Sequence, residues 1–520
     1  MTTSITKTIK KNAPLTLKTA ITAAVLLPAV TFASGYKLNE QSAAGMGSAH
    51  AGRAAIAEDA SVVFYNPAAM TELDRAQMTA GFTYINATGD FTGNGTTATG
   101  GSMTGAADSD PFNNGGNYLG ESFIPFFYYA SPVNEKIAFG IGVYTPFGTK
   151  TDYNDGFVGG QFADKTSLIS LEIQPSIAYK INDQLSVGVG IDIIYMEGEL
   201  TKDLDLVPFN AELAGGYAQV VGAGGDGDAF VKSKGFINGE NSPVIDSQYA
   251  GYENHYKVKG DDWATGWNLS VFYKLSDVTT LGAIYRSEID IELKGDSEFD
   301  GADTVSVYSS ANDAVVPVGA LVGDFSQNTL APQASAVPLT TPESLTLSLA
   351  HQATDQLLLQ VGATWTGWSS FKDFDILATE QTAAVDISDV SANGGLDAGY
   401  IGHITEEWGD VWAFAVGGTY QLNDKLALRA GYAYDQSPVT DEYRTARVPS
   451  SDRQWLTFGA GYVVDQNLSV DVAAGYLFMY PMDLNERNRN NADQEIGLAS
   501  LTGEYEIDVF GLSAQVNYKF

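Results

Sequence analysis

The sequence predicts an all-β protein, a transmembrane antiparallel β-barrel of 14 strands with an N-terminal plug (hatch) segment. Three observations predict it. The chain ends on a strand in which Phe510, Leu512, Ala514, Val516, Tyr518 and Phe520 share one face, and Gly511, Ser513, Gln515, Asn517 and Lys519 the other. It begins with a secretory leader. Between the two ends, short polar turns separate further runs of the same alternation.

The leader comes first in the chain. Lys7, Lys10, Lys11 and Lys18 form a basic region, Ala20 to Val30 an apolar one, and Thr31-Phe32-Ala33 places small residues at the two positions a signal peptidase reads. Residues 1–33 are therefore expected to be a signal peptide cleaved after Ala33. The apolar run is too short to span a bilayer as a helix, and no run of about 18 apolar residues follows it. Export without a helical anchor leaves a closed sheet, which pairs every backbone N–H and C=O without an edge.

Residues 34–75 do not alternate. They are rich in Ala and Gly, carry Arg53, Glu58 and Asp59, and are too few for an independent domain. A segment of this size is expected to plug the barrel. Its most pointed motif is Asn66-Pro67-Ala68, in which Asn can cap a turn while Pro fixes φ and removes a donor.

Residues 76–520 are the expected barrel. Six tight turns mark its periplasmic side: Asn134-Glu135-Lys136, Asn182-Asp183-Gln184, Ser276-Asp277, Thr354-Asp355-Gln356, Asn423-Asp424-Lys425 and Asp465-Gln466-Asn467. Each joins two strands, and one more strand at each end makes fourteen. In the fifth strand Leu185, Val187, Val189, Ile191, Ile193 and Tyr195 face lipid. The inward set includes Ile194 and Met196, joined by Leu477 and Met479 from near the end of the chain. Such large apolar side chains suggest a greasy passage or packing against the plug; the two are compatible. The third strand, Ile137 to Thr145, contains Gly140 and Gly142 and ends in Pro146, which cannot donate to a ladder. The long connections, Asp205 to Tyr252, Ser297 to Val337, Ala378 to Ile404 and Asp483 to Ala499, belong to the outer side. Pro208 to Val221 has the pattern of a short amphipathic helix. Gly225 to Asp228 resembles part of a calcium loop but lacks its downstream acid.

Composition agrees. Aromatics make up 11%, Gly 55 of 520 residues, and mean hydropathy is −0.07, as one apolar face in two would give. No cysteine is present and four His are scattered, so no metal or other cofactor is expected. Without the leader's four Lys the chain has 24 basic against 63 acidic side chains, a net charge of −39, which repels nucleic acid. The acid fits solvated loops, or divalent-cation bridging to lipopolysaccharide. A barrel lipase needs a nucleophile paired with a base, and no nucleophile-elbow motif is present.

The segment SGYKLNEQSAAGMGSAHAGRAAIAEDASVVFYNPAAMTELDR, Ser34 to Arg75, resembles the hatch of the FadL/TodX family of outer-membrane hydrophobic-compound transporters. Further matches are YTPFG (Tyr144 to Gly148), YRSEIDIELKG (Tyr285 to Gly295), TPESLTLSLA (Thr341 to Ala350), WTGWSSF (Trp365 to Phe371), RAGYAYDQSPV (Arg429 to Val439) and RVPSSDRQWLTFGAGY (Arg447 to Tyr462). They run in order along the whole barrel. The resemblance implies a non-enzymatic, passive transporter of long-chain fatty acids or other hydrophobic molecules in the bacterial outer membrane. It is expected to act as a monomer among outer-membrane lipids and lipopolysaccharide. Ligand is caught between outer loops, moves to an inner pocket near the hatch N-terminus at Ser34, and leaves sideways at an inward kink in the third strand. The kink maps to Gly140, Gly142, Tyr144, Pro146, Phe147 and Gly148, with Asn66-Pro67-Ala68 against it. Fatty-acid members set two basic residues near the carboxylate. One position falls on Lys202, among Glu197 and Glu199; the other falls on Gly409, beside Asp410. A fatty acid is the expected ligand, with a neutral aromatic or alkane as the alternative.

Overall fold

The computed structural model describes residues 35–96, 102–104, 113–203, 255–299, 306–309, 314–317, 332–379 and 399–520. It is a closed antiparallel barrel of 14 strands. In chain order these are β1 (Gln77–Thr96), β2 (Glu121–Pro132), β3 (Ile137–Tyr144, resuming at Gly148–Asp152), β4 (Lys165–Lys180), β5 (Leu185–Asp203) and β6 (His255–Ser276). Then come β7 (Thr279–Arg286 and Ile289–Phe299), β8 (Gln333–Thr341 and Ser344–Thr354), β9 (Leu357–Thr366 and Asp373–Ala378) and β10 (Tyr400–Thr405 and Val411–Asn423). The last four are β11 (Leu426–Asp435), β12 (Arg453–Val463), β13 (Leu468–Met479 and Met482–Arg489) and β14 (Glu495–Lys519). Closure is made by β1 on β14, in register from Gln77 opposite Lys519 to Thr96 opposite Ser500.

The six turns fall where the sequence places them, and most share one local device. A side-chain oxygen at the first turn position accepts the N–H groups two and three residues on. Asn134 Oδ1 takes Lys136 and Ile137, Asn182 Oδ1 takes Gln184 and Leu185, and Asn423 Oδ1 takes Lys425 and Leu426. Asp465 and Thr354 do the same. The device needs no tertiary contact, which is why it is legible in sequence.

The two faces also separate as expected. Phe82, Ile177, Val189, Ile191, Leu269, Val361, Phe414, Val416, Phe458 and Phe478 stand exposed on the outside, where a soluble protein would have polar residues. No helix among the described residues is long and apolar enough to cross a membrane.

The inward polar residues hold the N-terminal segment. Residues 35–75 form two short helices, α1 (Ala43–Met46) and α2 (Val62–Tyr65), and two 3-10 turns, Arg53–Ala55 and Pro67–Glu72. Ser42 caps α1 through Gly45 N. Gln515 of β14 receives Ala43 N at 2.8 Å and the Ser42 hydroxyl at 3.0 Å on its oxygen, and donates to Asp59 and Asp471. Arg429 of β11 bonds Asp471 at 2.7 Å and also reaches Glu58. Backbone approaches backbone closely here. A Cβ on Gly282 of β7 would meet Ala54 O at 1.8 Å, so only glycine fits.

Two expectations are corrected. Asp483 to Ala499 is a hairpin that extends β13 and β14 above the barrel, paired from Met482 opposite Tyr505 to Arg489 opposite Glu495. Gly140 and Gly142 do not make the break in β3. Both sit in regular ladder opposite Ala130 and Tyr128. They clear space instead: a Cβ on Gly140 would lie 2.5 Å from Met70 Sδ and Val63 Cγ2, and one on Gly142 would lie 3.0 Å from the Tyr144 ring. The candidate helix at Pro208 to Val221, the Gly225 to Asp228 loop and Ser34 lie outside the described residues.

Candidate functional site: two cavities and a break in the wall

The wall breaks at Thr145-Pro146-Phe147. Pairing of β2 with β3 ends at Phe127 opposite Val143. On the other side the ladder jumps from Tyr144 opposite Glu172 to Gly148 opposite Ile169, so three residues of β3 face two of β4. The start of the N-terminal segment satisfies the freed backbone. Leu38 N donates to Pro146 O at 2.7 Å, Gly148 N donates to Tyr36 O at 2.9 Å, and Gln41 Nε2 donates to Thr145 O. Phe147 N donates to Ser170 Oγ at 2.9 Å. Lys37 lies directly opposite Phe147. Tyr144, Pro146, Phe147 and Gly148 thus gather at the break, held by Tyr36 to Leu38.

Asn66-Pro67-Ala68 is hydrogen-bonded to other strands, while Ala68 shares a buried apolar cluster with Ala138 and Tyr144 of β3. The Asn66 amide donates to Ala54 O and to Val271 O of β6, and Ala68 N donates to Ser270 Oγ at 3.0 Å. A Cβ on Gly188 of β5 would strike Ala68 N at 2.5 Å. The motif is therefore seated on β5 and β6. Val63 and Met70, on either side of it, touch β3 at Gly140. Asn66 Oδ1 accepts Ala68 N at 3.1 Å and so starts the 3-10 turn at Pro67.

Among the described residues, two cavities inside the barrel bear on the site. The upper has a volume of about 360 Å³ and is lined by Lys202, Leu200, Tyr256, Val258, Ile376, Ile401, His403, Thr445, Arg447 and Glu486, among others. That is the size of a small-ligand pocket. The lower, about 110 Å³, lies against the break and is lined by Lys37, Phe64, Pro146, Phe147, Ile284, Arg286, Ile289 and Pro342, with others. One apolar cluster joins them. It contains Leu200, Tyr256, Val258, Ile376 and Ile401 from the upper lining and Phe147 and Ile289 from the lower. Ile194 and Met196, both fully buried, lie in the same cluster. Leu477 belongs to a second buried cluster on the β13–β14 side, and Met479 packs against it. At the centre Tyr36 is boxed by Trp368 at 4.6 Å, Phe371 at 5.5 Å, Trp408 at 5.7 Å and Phe147 at 5.9 Å between ring centroids.

Strand alternation separates Lys202 from the acids beside it in sequence. Lys202 lines the cavity with Leu200, while Glu197 and Glu199 face outward and pair across the ladder with Lys259 and Lys165 at 2.8 and 2.6 Å. Lys202 has no ion pair among the described residues. It stands beyond the lipid-facing stretch of β5, which ends where Tyr195 meets Trp263. Burial, with the Arg447 guanidinium adding to it, pushes its pKa down to about 8. Burial also raises Glu406 to about 8 and Glu486 to about 7. Glu406 accepts from Trp408 Nε1 and the Thr445 hydroxyl, and Glu486 from Ala446 N. Arg447 donates to Thr201 O at 3.1 Å and Thr166 Oγ1 at 3.3 Å. Gly409 presents open space: a Cβ there meets nothing within 4 Å.

Three imidazoles are hydrogen-bonded, to Tyr65 (His50), Thr279 (His351) and Asp375 (His403), and His255 stands in ion-pair distance of Asp203. Sequence reasoning missed Lys37, the Tyr36 box, Arg286 and Arg447. Trp365-Thr-Gly-Trp-Ser-Ser-Phe371 interrupts the β9 alternation with a Gly-Trp step, and that signal marks where the chain dips inward.

Comparisons with known proteins agree along the whole chain. The family described as outer membrane protein transport protein (OMPP1/FadL/TodX) matches residues 24–520. Outer membrane protein P1 of Haemophilus influenzae is 29% identical over 509 residues, covering 96% of this chain and 98% of that protein. The long-chain fatty acid transport protein of Escherichia coli O6:H1 is 28% identical over 506 residues, covering 97% and 98%. Among solved structures, a Pseudomonas aeruginosa FadL homologue superposes with a TM-score of 0.73 at 26% identity, covering 94% of this chain and 100% of that one. The Ralstonia pickettii toluene transporter TbuX gives 0.55 at 17% identity, covering 92% and 98%, a likeness of fold alone.

Proposed function

The chain belongs to the OMPP1/FadL/TodX family of outer-membrane transport proteins, and from that membership we propose that it carries long-chain fatty acids inward by passive diffusion. Ligand is captured at the outer loops and settles in the upper cavity with its carboxylate at Lys202. It then passes along the apolar cluster and leaves sideways into the membrane between β2 and β3. Residues 34–75, left at the N-terminus after cleavage at Ala33, act as the plug. The protein works as a monomer, its rim against lipopolysaccharide and membrane lipid.

One observation carries this reading: a single apolar cluster runs from the Lys202 cavity to the break in β3. A chain of methylenes stays out of water along it, at roughly 25 cal/mol per Å² of apolar surface. A neutral aromatic or alkane is the second reading. It is supported by Gly409 at the second basic position and by Glu486 in the lining of the Lys202 cavity.

The test is a charge in mid-path. Met196→Glu places a carboxylate on the fully buried inner face of β5. Cells lacking their own transporter, with the variant at equal surface level, are expected to lose most uptake of labelled oleate. Undiminished uptake would reject the path.

A further inference from the structure

The lower cavity contains a cation that the path has not used. Arg286, at its polar end, is already neutralised. Its guanidinium lies 3.4 Å from Asp192 and 3.7 Å from Glu172, donates to Phe64 O at 2.7 Å, and covers the Phe64 ring at 4.8 Å. Lys37 is different. It lines the same cavity, is half-buried, and has no ion pair among the described residues; the charges of Arg286 and Asp435 act on it only at longer range. Its backbone is also fixed at the break, opposite Phe147, with Leu38 N on Pro146 O. An unpaired ammonium is thus tied to the one stretch where β2 and β3 part.

Size decides what it can hold. At about 110 Å³ the cavity is smaller than one that takes benzene, roughly 150 Å³, so it accepts a head group and a few methylenes rather than a whole chain. Its apolar side is Phe147, Ile284 and Ile289. A monocarboxylate on an aliphatic stem matches a lone cation above a short greasy wall.

We propose that Lys37 is a second carboxylate anchor, which receives the head group of an aliphatic monocarboxylate at the inner face of the β3 break after it leaves Lys202. The proposal rests on the transport reading above. Handing the carboxylate from one ammonium to the next keeps it paired inside the barrel, where an unpaired charge is costly. A neutral ligand gains nothing from either residue.

The experiment measures initial uptake rates of labelled oleate and of oleyl alcohol, in cells lacking their own transporter, for wild type, Lys37→Met and Lys37→Arg at equal surface level. Expected are a fall of about tenfold for oleate in Lys37→Met, little change for oleyl alcohol, and recovery in Lys37→Arg. Should Lys37→Met fail to assemble, Lys37→Gln carries the same comparison. Wild type that takes up oleate while Lys37→Met does so equally fast overturns the anchor and leaves the transport reading standing. So does an equal loss for both probes, which marks a structural role. Wild type that takes up neither probe above the empty vector overturns the transport reading itself.

Discussion

Replacing Lys202 by Met removes the ammonium from the upper cavity and keeps most of the apolar stem. Lys202 has no ion pair among the described residues, so its charge is available to a ligand in the cavity it lines. A buried charge-assisted contact contributes roughly 1.5–3 kcal/mol, which is about ten- to a hundredfold in affinity. Oleate binding to the purified barrel, at monomeric ligand concentration, is expected to weaken by that factor, and oleyl alcohol binding to stay the same. The pH dependence carries a second signature. Free Lys202 titrates at about 8, and a bound carboxylate raises that value by favouring the charged form. The contact is therefore at full strength below pH 8 and is lost as pH rises through 8, by roughly tenfold per unit until the bound form also titrates. Glu486, which lines the same cavity, is raised to about 7, ionises over the same range and repels the head group, so it acts in the same direction. Wild-type affinity for oleate should fall from pH 7 to pH 9, and the fall should be shallower in Lys202→Met. Equal weakening of both ligands in the variant, or a wild-type affinity that does not change with pH, would refute a head-group role for Lys202.

Other consequences can be checked alongside it. Gly409→Lys puts a second cation into open space beside Trp408; oleate affinity should rise severalfold while oleyl alcohol is unaffected, as isothermal titration would show. Gly140→Val drives a side chain into Met70 and Val63, an overpacking cost of roughly 1–3 kcal/mol, so the N-terminal segment should be cut faster by added protease while the barrel still migrates as folded. Deleting residues 34–75 removes the groups bonded to Gln515 and Arg429 and clears the interior; single-channel conductance in planar bilayers should rise sharply, and an unchanged trace would show that the segment is no plug.

What the sequence alone determined is the local part of the structure. Period-two alternation assigns each side chain to a face, so the lipid side of β5 and β14 and the inward set of Ile194, Met196, Leu477 and Met479 are legible without a partner strand. The turns are legible because Asn134, Asn182, Asn423 and Asp465 bond their own next residues. Pro146 announces a missing donor, and the break lies there. The same periodicity separates Lys202 from Glu197 and Glu199, which fall on the opposite face of the strand.

Only the tertiary structure decided what the inward residues meet. Gln515 reads as lumen-facing polar, yet it bonds Ser42, 473 positions away in sequence. Ala68 bonds Ser270 of β6, 202 residues on, because a cap fixes where a turn begins and not which wall it faces. Lys37, Phe147 and Arg286 share a cavity only because closure of the barrel brings β3 and β7 to the same N-terminal segment. Face follows from the pleat of a single strand, whereas neighbours across the interior follow from strand number, register and tilt together, which no single strand carries.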